Sequence, residues 1–154
     1  MPADYKRLVD VYGDGIFDDT IWLLVPNSPY DECDLHAQAA ERAEILSDLW
    51  EFEAKPAGLL EAEARVLPWA FEEGTGAFLY WLVRPGQDPD EWTVLYNEGR
   101  GPLWEHHEMG CAAFLLGVLT ETVETEYFGC LHDAPKPTEH RFETAARTIG
   151  ASRR

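Results

Sequence analysis

The residues best suited to metal chemistry are few, and their spacing is poor. His106 and His107 are adjacent, so their side chains point apart in a strand and about 100° apart in a helix, and they cannot share one ion without strain. Cys33 and His36 have the Cys-x-x-His spacing of half a zinc site, but no second pair follows at a suitable distance. We therefore predict no metal site and no cofactor, with surface histidines and a buried thiol instead.

Patterns for nucleophilic or phosphate chemistry are also missing from the sequence. It has no GxGxxG or P-loop pattern and no GxSxG elbow. Cys111 lies at a predicted helix N-terminus, where a thiol pKa can fall, but its apolar neighbours favour plain burial. Carboxylates are so frequent that no pair stands out as an acid/base dyad. We expect a protein without catalytic residues; an unrecognised acid/base site is the alternative.

Acidic residues dominate the charge of the chain. The 154 residues include 29 Asp and Glu against 12 Lys and Arg, which gives a formal net charge of −17 at pH 7. A field this negative repels phosphate backbones, so we expect no nucleic-acid partner. It attracts a cationic partner and speeds association with it. The alternative explanation is that the acidity only maintains solubility.

Length and composition indicate one globular domain. A chain of 154 residues with 45% hydrophobic content can bury a single core. It has no apolar run of about 18 residues, so we expect no membrane association. The N-terminus lacks a secretory-signal pattern, and three cysteines are a poor basis for a disulfide framework. We therefore expect a cytoplasmic protein.

The stretch from Leu67 to Met109 is predicted to form a central meander. Its aromatic and β-branched runs favour short strands. Turn signals at 74–76, 85–86 and 99–102 separate these runs. The connections are too short for crossover helices, so neighbouring strands should pair antiparallel.

Helices are predicted on both sides of this meander in the sequence. The first covers Pro2–Tyr12 and ends at Gly13. The second is capped by Asp34 and reaches about Ala54, and the third begins at Gly110. The other predictions are a polar turn at 14–20, a buried strand at 21–25, an inner stripe on the second helix (Leu35, Ala39, Ala43, Leu46, Leu49 and Trp50), a non-helical segment at Ala134–Pro137, and a poorly ordered tail.

An ordered set of motifs resembles the SUKH superfamily, the relatives of the fungal Smi/Knr cell-wall synthesis regulators. The motifs are Pro2-Ala3-Asp4-Tyr5, Leu67-Pro68-Trp69, Phe78-Leu79-Tyr80-Trp81-Leu82, Asp88-Pro89-Asp90-Glu91-Trp92-Thr93-Val94, Asn97-Glu98-Gly99-Arg100-Gly101 and Phe114-Leu115-Leu116. Ala70 and Thr93 depart from the glycine and proline usual at those places. The resemblance implies a single α+β domain over residues 1–125, with a mainly antiparallel sheet flanked by helices, and 126–154 as a partly ordered C-terminal extension.

The resemblance also implies a function without a known catalytic centre. Many bacterial members look like immunity proteins that are made beside polymorphic toxins and neutralise them by direct binding. An acidic domain of this kind can plug the cationic cleft of a nuclease toxin. We therefore predict a non-catalytic immunity protein whose partner is a cognate toxin with a basic surface. A regulatory scaffold like the fungal relatives is the alternative, and the oligomeric state stays open.

The predicted partner contacts are acids on loops around the sheet and two tryptophans flanked by acids. Trp92 and Trp104 are the candidate anchors, and burial in the core is their alternative. Arg84 and Arg100 are predicted to be internal ion-pair partners. The acids are Asp18, Asp19, Glu72, Glu73, Asp88, Asp90, Glu91 and Glu98.

Overall fold

An antiparallel sheet of seven strands forms the centre of the computed structural model, which describes residues 1–61, 63–99, 103–126, 128 and 140–152. The strands are β1 (Gly15–Phe17), β2 (Ile21–Leu23), β3 (Arg65–Glu72), β4 (Phe78–Val83), β5 (Thr93–Asn97), β6 (Trp104–His107) and β7 (Phe142–Thr144). Their spatial order is β6-β5-β4-β3-β2-β1-β7, and every ladder is antiparallel. The predicted α+β class and the central meander are confirmed.

Helices cover both faces of this sheet. They are α1 (Ala3–Tyr12), α2 (Leu35–Leu49), α3 (Cys111–Leu119) and α4 (Ala145–Ser152), with short 3-10 turns at Asp31–Cys33, Ala57–Leu59 and Pro89–Glu91. On one face, α1 and α3 contact each other. On the other face, α2 packs through Leu46 and α4 through Ala145. Within the described part of the chain, no helix is long and apolar enough to cross a membrane.

Strand β4 is buried on both of its faces. Leu79, Tyr80, Trp81 and Leu82 are each at most 1% exposed. Alternate side chains of a strand point to opposite faces, so Leu79 and Trp81 join the core beneath α1 and α3, and Tyr80 and Leu82 join the core beneath α2. This double burial explains why the strand is a continuous apolar run and not an alternating one.

The predicted end of α1 is confirmed, and the predicted starts of α1 and α3 are correct to within one residue. Gly13 follows α1 with a φ of 69°, which favours glycine, and its N–H donates to the Val9 carbonyl at 2.9 Å. Gly110 is the residue before the first turn of α3. Local signals were sufficient in both places because a helix end is decided by the few residues around it.

Two carboxylates fasten α1 and α3 to one end of the sheet. Asp90 Oδ1, in the connection between β4 and β5, accepts the backbone N–H of Ala3 at 2.8 Å. Asp4, in the first turn of α1, accepts the backbone N–H of Ala112 at 3.1 Å. Each carboxylate satisfies an N–H that the start of a helix leaves unpaired, and its charge is favourable there. The β4–β5 connection therefore holds α1, and α1 in turn holds α3.

The prediction of a polar turn over 14–20 is wrong for its first half, which is β1. Only the tip of this stretch turns, where Asp18 and Asp19 have φ angles of 49° and 54°. Two successive left-handed residues match the twist of a tight hairpin, and aspartate tolerates that conformation. A strand of three residues is too short to show a period of its own in the sequence.

Three details predicted for the second helix are also wrong. The helix ends at Leu49 and does not reach Ala54, and Asp34 makes no side-chain cap. The Asp34 carboxylate instead accepts the backbone N–H of Asn27 at 2.9 Å. The inner stripe contains Arg42, which is buried, in place of Ala43, which is exposed.

The C-terminal residues complete the sheet. Phe142 of β7 lies opposite Phe17 of β1, and Ala145 is fully buried at the start of α4. Asp18 accepts the backbone N–H of Arg141 at 2.7 Å. The prediction of a poorly ordered tail is therefore wrong for residues 140–152. The predictions for Arg100–Pro102 and Ala134–Pro137 lie outside the described residues.

Replacing Asp4 by alanine tests the link between α1 and α3. The variant loses the acceptor for the Ala112 N–H and for the Cys111 thiol, so we expect the free energy of unfolding to fall by about 1–2 kcal/mol. Urea titration followed by tryptophan fluorescence measures the change. Asp10→Ala, at an exposed position of the same helix, is the control and should stay within about 0.5 kcal/mol. Equal losses in the two variants would contradict the link.

Replacing Gly15 by alanine tests the docking of β7. The added Cβ would clash with the backbone oxygen of Glu143 and with the ring of Phe142, so it should push β7 away from β1. We expect the amides of 142–144 to lose hydrogen-exchange protection while those of 78–83 keep theirs. Unchanged protection in β7 would show that this strand is not held as described.

Candidate functional site

The predicted contact residues lie at two opposite ends of the sheet. Phe78, at the start of β4, lies opposite Phe71 and Asn97, whereas Leu82 near its end lies opposite Thr93. The β1–β2, β3–β4 and β5–β6 turns therefore share one end, called here the tip end, and the β4–β5 connection lies at the other, the base end. The tip end carries Asp18, Asp19, Glu72, Glu73 and Glu98, and the base end carries Asp88, Asp90, Glu91 and Trp92.

Two of the five acids at the tip end are enclosed by the protein. Glu72 is only 6% exposed, and its Oε2 accepts the Thr75 hydroxyl at 2.6 Å. The Asp18 side chain is also 6% exposed, and its Oδ2 lies 2.6 Å from Nδ1 of His140. The expectation that these two acids are exposed contacts is wrong. Glu72 instead stabilises the β3–β4 turn, and Asp18 holds the C-terminal strand.

The other three tip acids remain accessible on three different turns. Asp19 and Glu73 are exposed, and Glu98 is half-buried. The Glu73 carboxylate accepts the indole N–H of Trp22, and its backbone N–H donates to the Thr20 carbonyl at 2.7 Å. These bonds fix Glu73 beside the β1–β2 turn. The sheet thus brings together acids that are far apart in the sequence.

The base end carries acids that also have structural roles. Asp88 Oδ1 accepts the backbone N–H of Asp90 at 2.9 Å and so caps the 3-10 turn that follows it. Asp90 in turn holds the start of α1. Asp88, Asp90 and Glu91 are all exposed. Their negative charge therefore faces solvent on a turn that hydrogen bonds hold in place.

The two candidate tryptophans are packed against other rings. Trp92 is half-buried, and its ring centroid lies 5.6 Å from that of Trp81. Trp104 is half-buried between Trp50, at 6.3 Å, and Tyr80, at 5.6 Å. Both side chains are therefore at the rim of the core, with one part fixed by packing and another part open to solvent.

Strand β6 is an edge of the sheet, and it has a surface cleft on each side. A cleft of about 460 Å³ lies between residues 54–58 and the side of β6 that carries Trp104 and His106. A second cleft, of about 500 Å³, lies between Glu105 and residues 124–126. Since alternate residues of a strand point to opposite faces, the first cleft is on the α2 face and the second is on the α3 face.

Arg42 is the residue of this region that sequence reasoning missed. It is 6% exposed. Its Nε donates to the Tyr80 hydroxyl at 2.8 Å, and its Nη2 donates to the Gly99 carbonyl at 2.5 Å. The guanidinium also lies 4.6 Å from the centroid of the Phe78 ring. Its position four residues before Leu46, on the inner stripe of α2, was the available signal.

Few ion pairs neutralise the acids in the described part of the chain. Arg84 lies 3.4 Å from Glu61, and Arg147 lies 3.6 Å from Glu143. The predicted ion pairing of Arg84 is confirmed, but the pair is partly exposed and not internal; Arg100 lies outside the described residues. Exposed pairs of this kind contribute little to stability. Most of the negative charge is therefore not neutralised within the protein and can attract or repel other molecules.

The side chains considered for metal and thiol chemistry are dispersed. Among the residues that the structure describes, no group of three or more His, Cys, Asp or Glu could hold a metal ion. His106 Nε2 lies 2.7 Å from the Thr93 hydroxyl, and burial lowers the pKa of His106. Burial, and then the adjacent Asp4 carboxylate, raise the pKa of the Cys111 thiol. This thiol stays protonated, so the helix N-terminus does not activate it.

The chain matches no family model, no curated protein and no solved structure. The SUKH resemblance therefore stays a prediction from the motifs, and function has to be argued from the surfaces of this chain.

Replacing Arg42 by leucine tests whether this arginine holds α2 to the tip end. The variant leaves the Tyr80 hydroxyl and the Gly99 carbonyl without their donor, so we expect the free energy of unfolding to fall by about 2–4 kcal/mol. Tyr80→Phe is the matched control, because it removes one of the two bonds and should cost about 1–2 kcal/mol. Urea titration measures both. A greater loss in Tyr80→Phe than in Arg42→Leu would contradict this role.

Proposed function

We propose that this chain is a non-catalytic immunity protein of the SUKH type, which binds a toxin with a basic surface in the cytoplasm and blocks it. The observation that carries the proposal is a net charge of −17 with exposed acids at both ends of the sheet and few cations beside them. Such a field accelerates encounter with a cationic protein and disfavours other partners. A nuclease is the preferred target, because its phosphate-binding cleft is cationic.

The way these acids are held also supports tight binding. Glu73 is fixed by Trp22, and Asp88 and Asp90 are fixed by backbone N–H groups. Side chains that are already ordered lose little conformational entropy when a partner binds. Close charge pairs across an interface can couple by about 1.5–7 kcal/mol. The tip end and the base end therefore both offer preorganised contacts for basic side chains.

A regulatory scaffold is the second candidate function, and scattered apolar side chains favour it. Val11 on α1 is 72% exposed, Phe52 beyond α2 is 88% exposed, and Leu116 on α3 is 63% exposed. These residues belong to three separate elements. Small apolar contacts suit weak, transient partners more than one tight partner.

Capture of the tagged full chain in its source cells tests the two candidates. The immunity proposal expects one stoichiometric basic partner that is retained at about 50 mM salt and weakened at about 200 mM. That partner should arrest growth when it is expressed alone, and co-expression of this chain should restore growth. Several weak partners would favour the scaffold. The absence of any basic partner, or a partner without toxicity, would overturn the immunity proposal.

Neutralising two tip acids tests where the charge acts. Glu73→Gln/Glu98→Gln keeps an acceptor for the Trp22 indole and removes two charges, so we expect about tenfold weaker binding of the partner at low salt. Glu41→Gln/Glu44→Gln, on the exposed side of α2, removes the same charge elsewhere and should change affinity by about twofold or less. Titration calorimetry measures both variants. Equal effects would show that only the total charge matters.

A further inference from the structure

We propose that the free edge of β6 is a docking site for an extended segment of the basic partner, which adds to the sheet as a further strand with alternating apolar and basic side chains. This proposal deepens the immunity function and rests on it.

The outer edge of β6 has no strand partner among the described residues, where β6 pairs with β5 alone and is the last strand on its side of the sheet. Half of the backbone N–H and C=O groups of such a strand point away from the sheet. Edges are commonly protected by proline or by charged side chains, especially lysine. Strand β6 reads Trp-Glu-His-His, with one acid and without lysine or proline. The other edge, β7, has three residues and runs directly into α4.

The two clefts determine which side chains an added strand can carry. On the α2 face, the strand would lie against Leu95, Leu103 and Trp104 and the chain at 54–58, which suits apolar side chains. On the α3 face, Leu103, Trp104 and three acids line the cleft. Glu105 is already paired with His107, whereas Glu124 and Glu126 are exposed and suit lysine or arginine. Neighbouring residues of a strand point to opposite faces. The bound segment therefore alternates between apolar and basic residues.

One wall of the apolar cleft is fixed by packing. Trp104 is held between the rings of Trp50 and Tyr80, so it forms a fixed wall. Leu103 precedes it and is 57% exposed. The cleft between this fixed wall and the exposed leucine can bind an apolar side chain without a rearrangement of the protein.

Charge decides against a second copy of this chain as the occupant. Two copies, each with a net charge of −17, repel one another. Pairing through β6 would also bring Glu105 of each copy into the acidic cleft of the other. The same negative potential attracts a basic segment. The acids that favour a basic segment therefore oppose self-association through this edge.

The first test uses a short synthetic peptide in which valine and lysine alternate. The control is a peptide of the same composition with its lysines in one block. With the full chain, we expect the alternating peptide to bind about tenfold more tightly, to protect the amides of 104–107 from hydrogen exchange, and to weaken as salt rises. Equal binding of the two peptides, or protection that leaves 104–107 unchanged, would overturn the proposal.

The second test removes the exposed apolar side chain of the site. Leu103→Ser should weaken the alternating peptide by about tenfold. Leu116→Ser, on α3, removes a leucine that is 63% exposed and should leave binding within about twofold. Because both positions are exposed, both variants should fold. An effect of Leu116→Ser as large as that of Leu103→Ser would overturn the assignment.

The third test reverses charge in the acidic cleft. Glu124→Lys/Glu126→Lys should abolish measurable binding of the alternating peptide, while Glu41→Lys/Glu44→Lys on α2 makes the same change of net charge and should weaken it by about threefold or less. Equal losses would overturn a local role for this cleft.

The outcomes separate the docking site from the immunity function. If a captured toxin binds tightly and Leu103→Ser leaves its affinity unchanged, the docking site is overturned and the immunity function stands. If no toxin exists but the alternating peptide binds at β6, the immunity function is overturned and the docking site stands.

Discussion

The burial of β4 on both faces is the constraint on which the rest of the structure depends. An apolar strand of this kind has to be covered from two sides, because either face alone would leave large side chains in water. On one face, α1 covers Trp81. The Tyr5 ring of α1 packs edge-on against the Trp81 ring, with the two centroids 4.8 Å apart. On the other face, α2 covers Tyr80, whose hydroxyl accepts a hydrogen bond from Arg42 of that helix. The helical layers follow from this one strand.

A sheet that is covered on both faces leaves its ends and its edges for function. The candidate contact acids follow this division, since they lie on the turns at the two ends and beside β6. Some of them also hold the helices: Asp90 fastens α1, and Asp4 fastens α3. The structural roles of these acids therefore overlap with their proposed binding role, and single substitutions of them have to be interpreted with a stability measurement beside the affinity.

The two edges of the sheet are unequal. At one edge, the C-terminal strand closes on β1 and continues into α4, with Asp18 as its anchor. At the other, β6 ends the sheet with clefts on both faces. The docking proposal rests on this difference, because an acidic surface around an edge strand attracts a basic segment and repels another copy of itself. Charge and sheet geometry thus support the same mode of recognition.

The sequence by itself determined the meander, the two helices that end or begin at Gly13 and Gly110, and the overall acidity. Each of these depends on neighbours along the chain: a period, a turn signal or a composition. Only the tertiary structure decided the pairing of β1 with β7, the burial of Arg42 and the difference in solvent exposure between Glu72 and Glu73. These two acids are adjacent in sequence, yet one is buried and the other exposed. The physical reason is that the surroundings of a charge are set by strands and helices far away in the chain, and local periodicity carries no record of them.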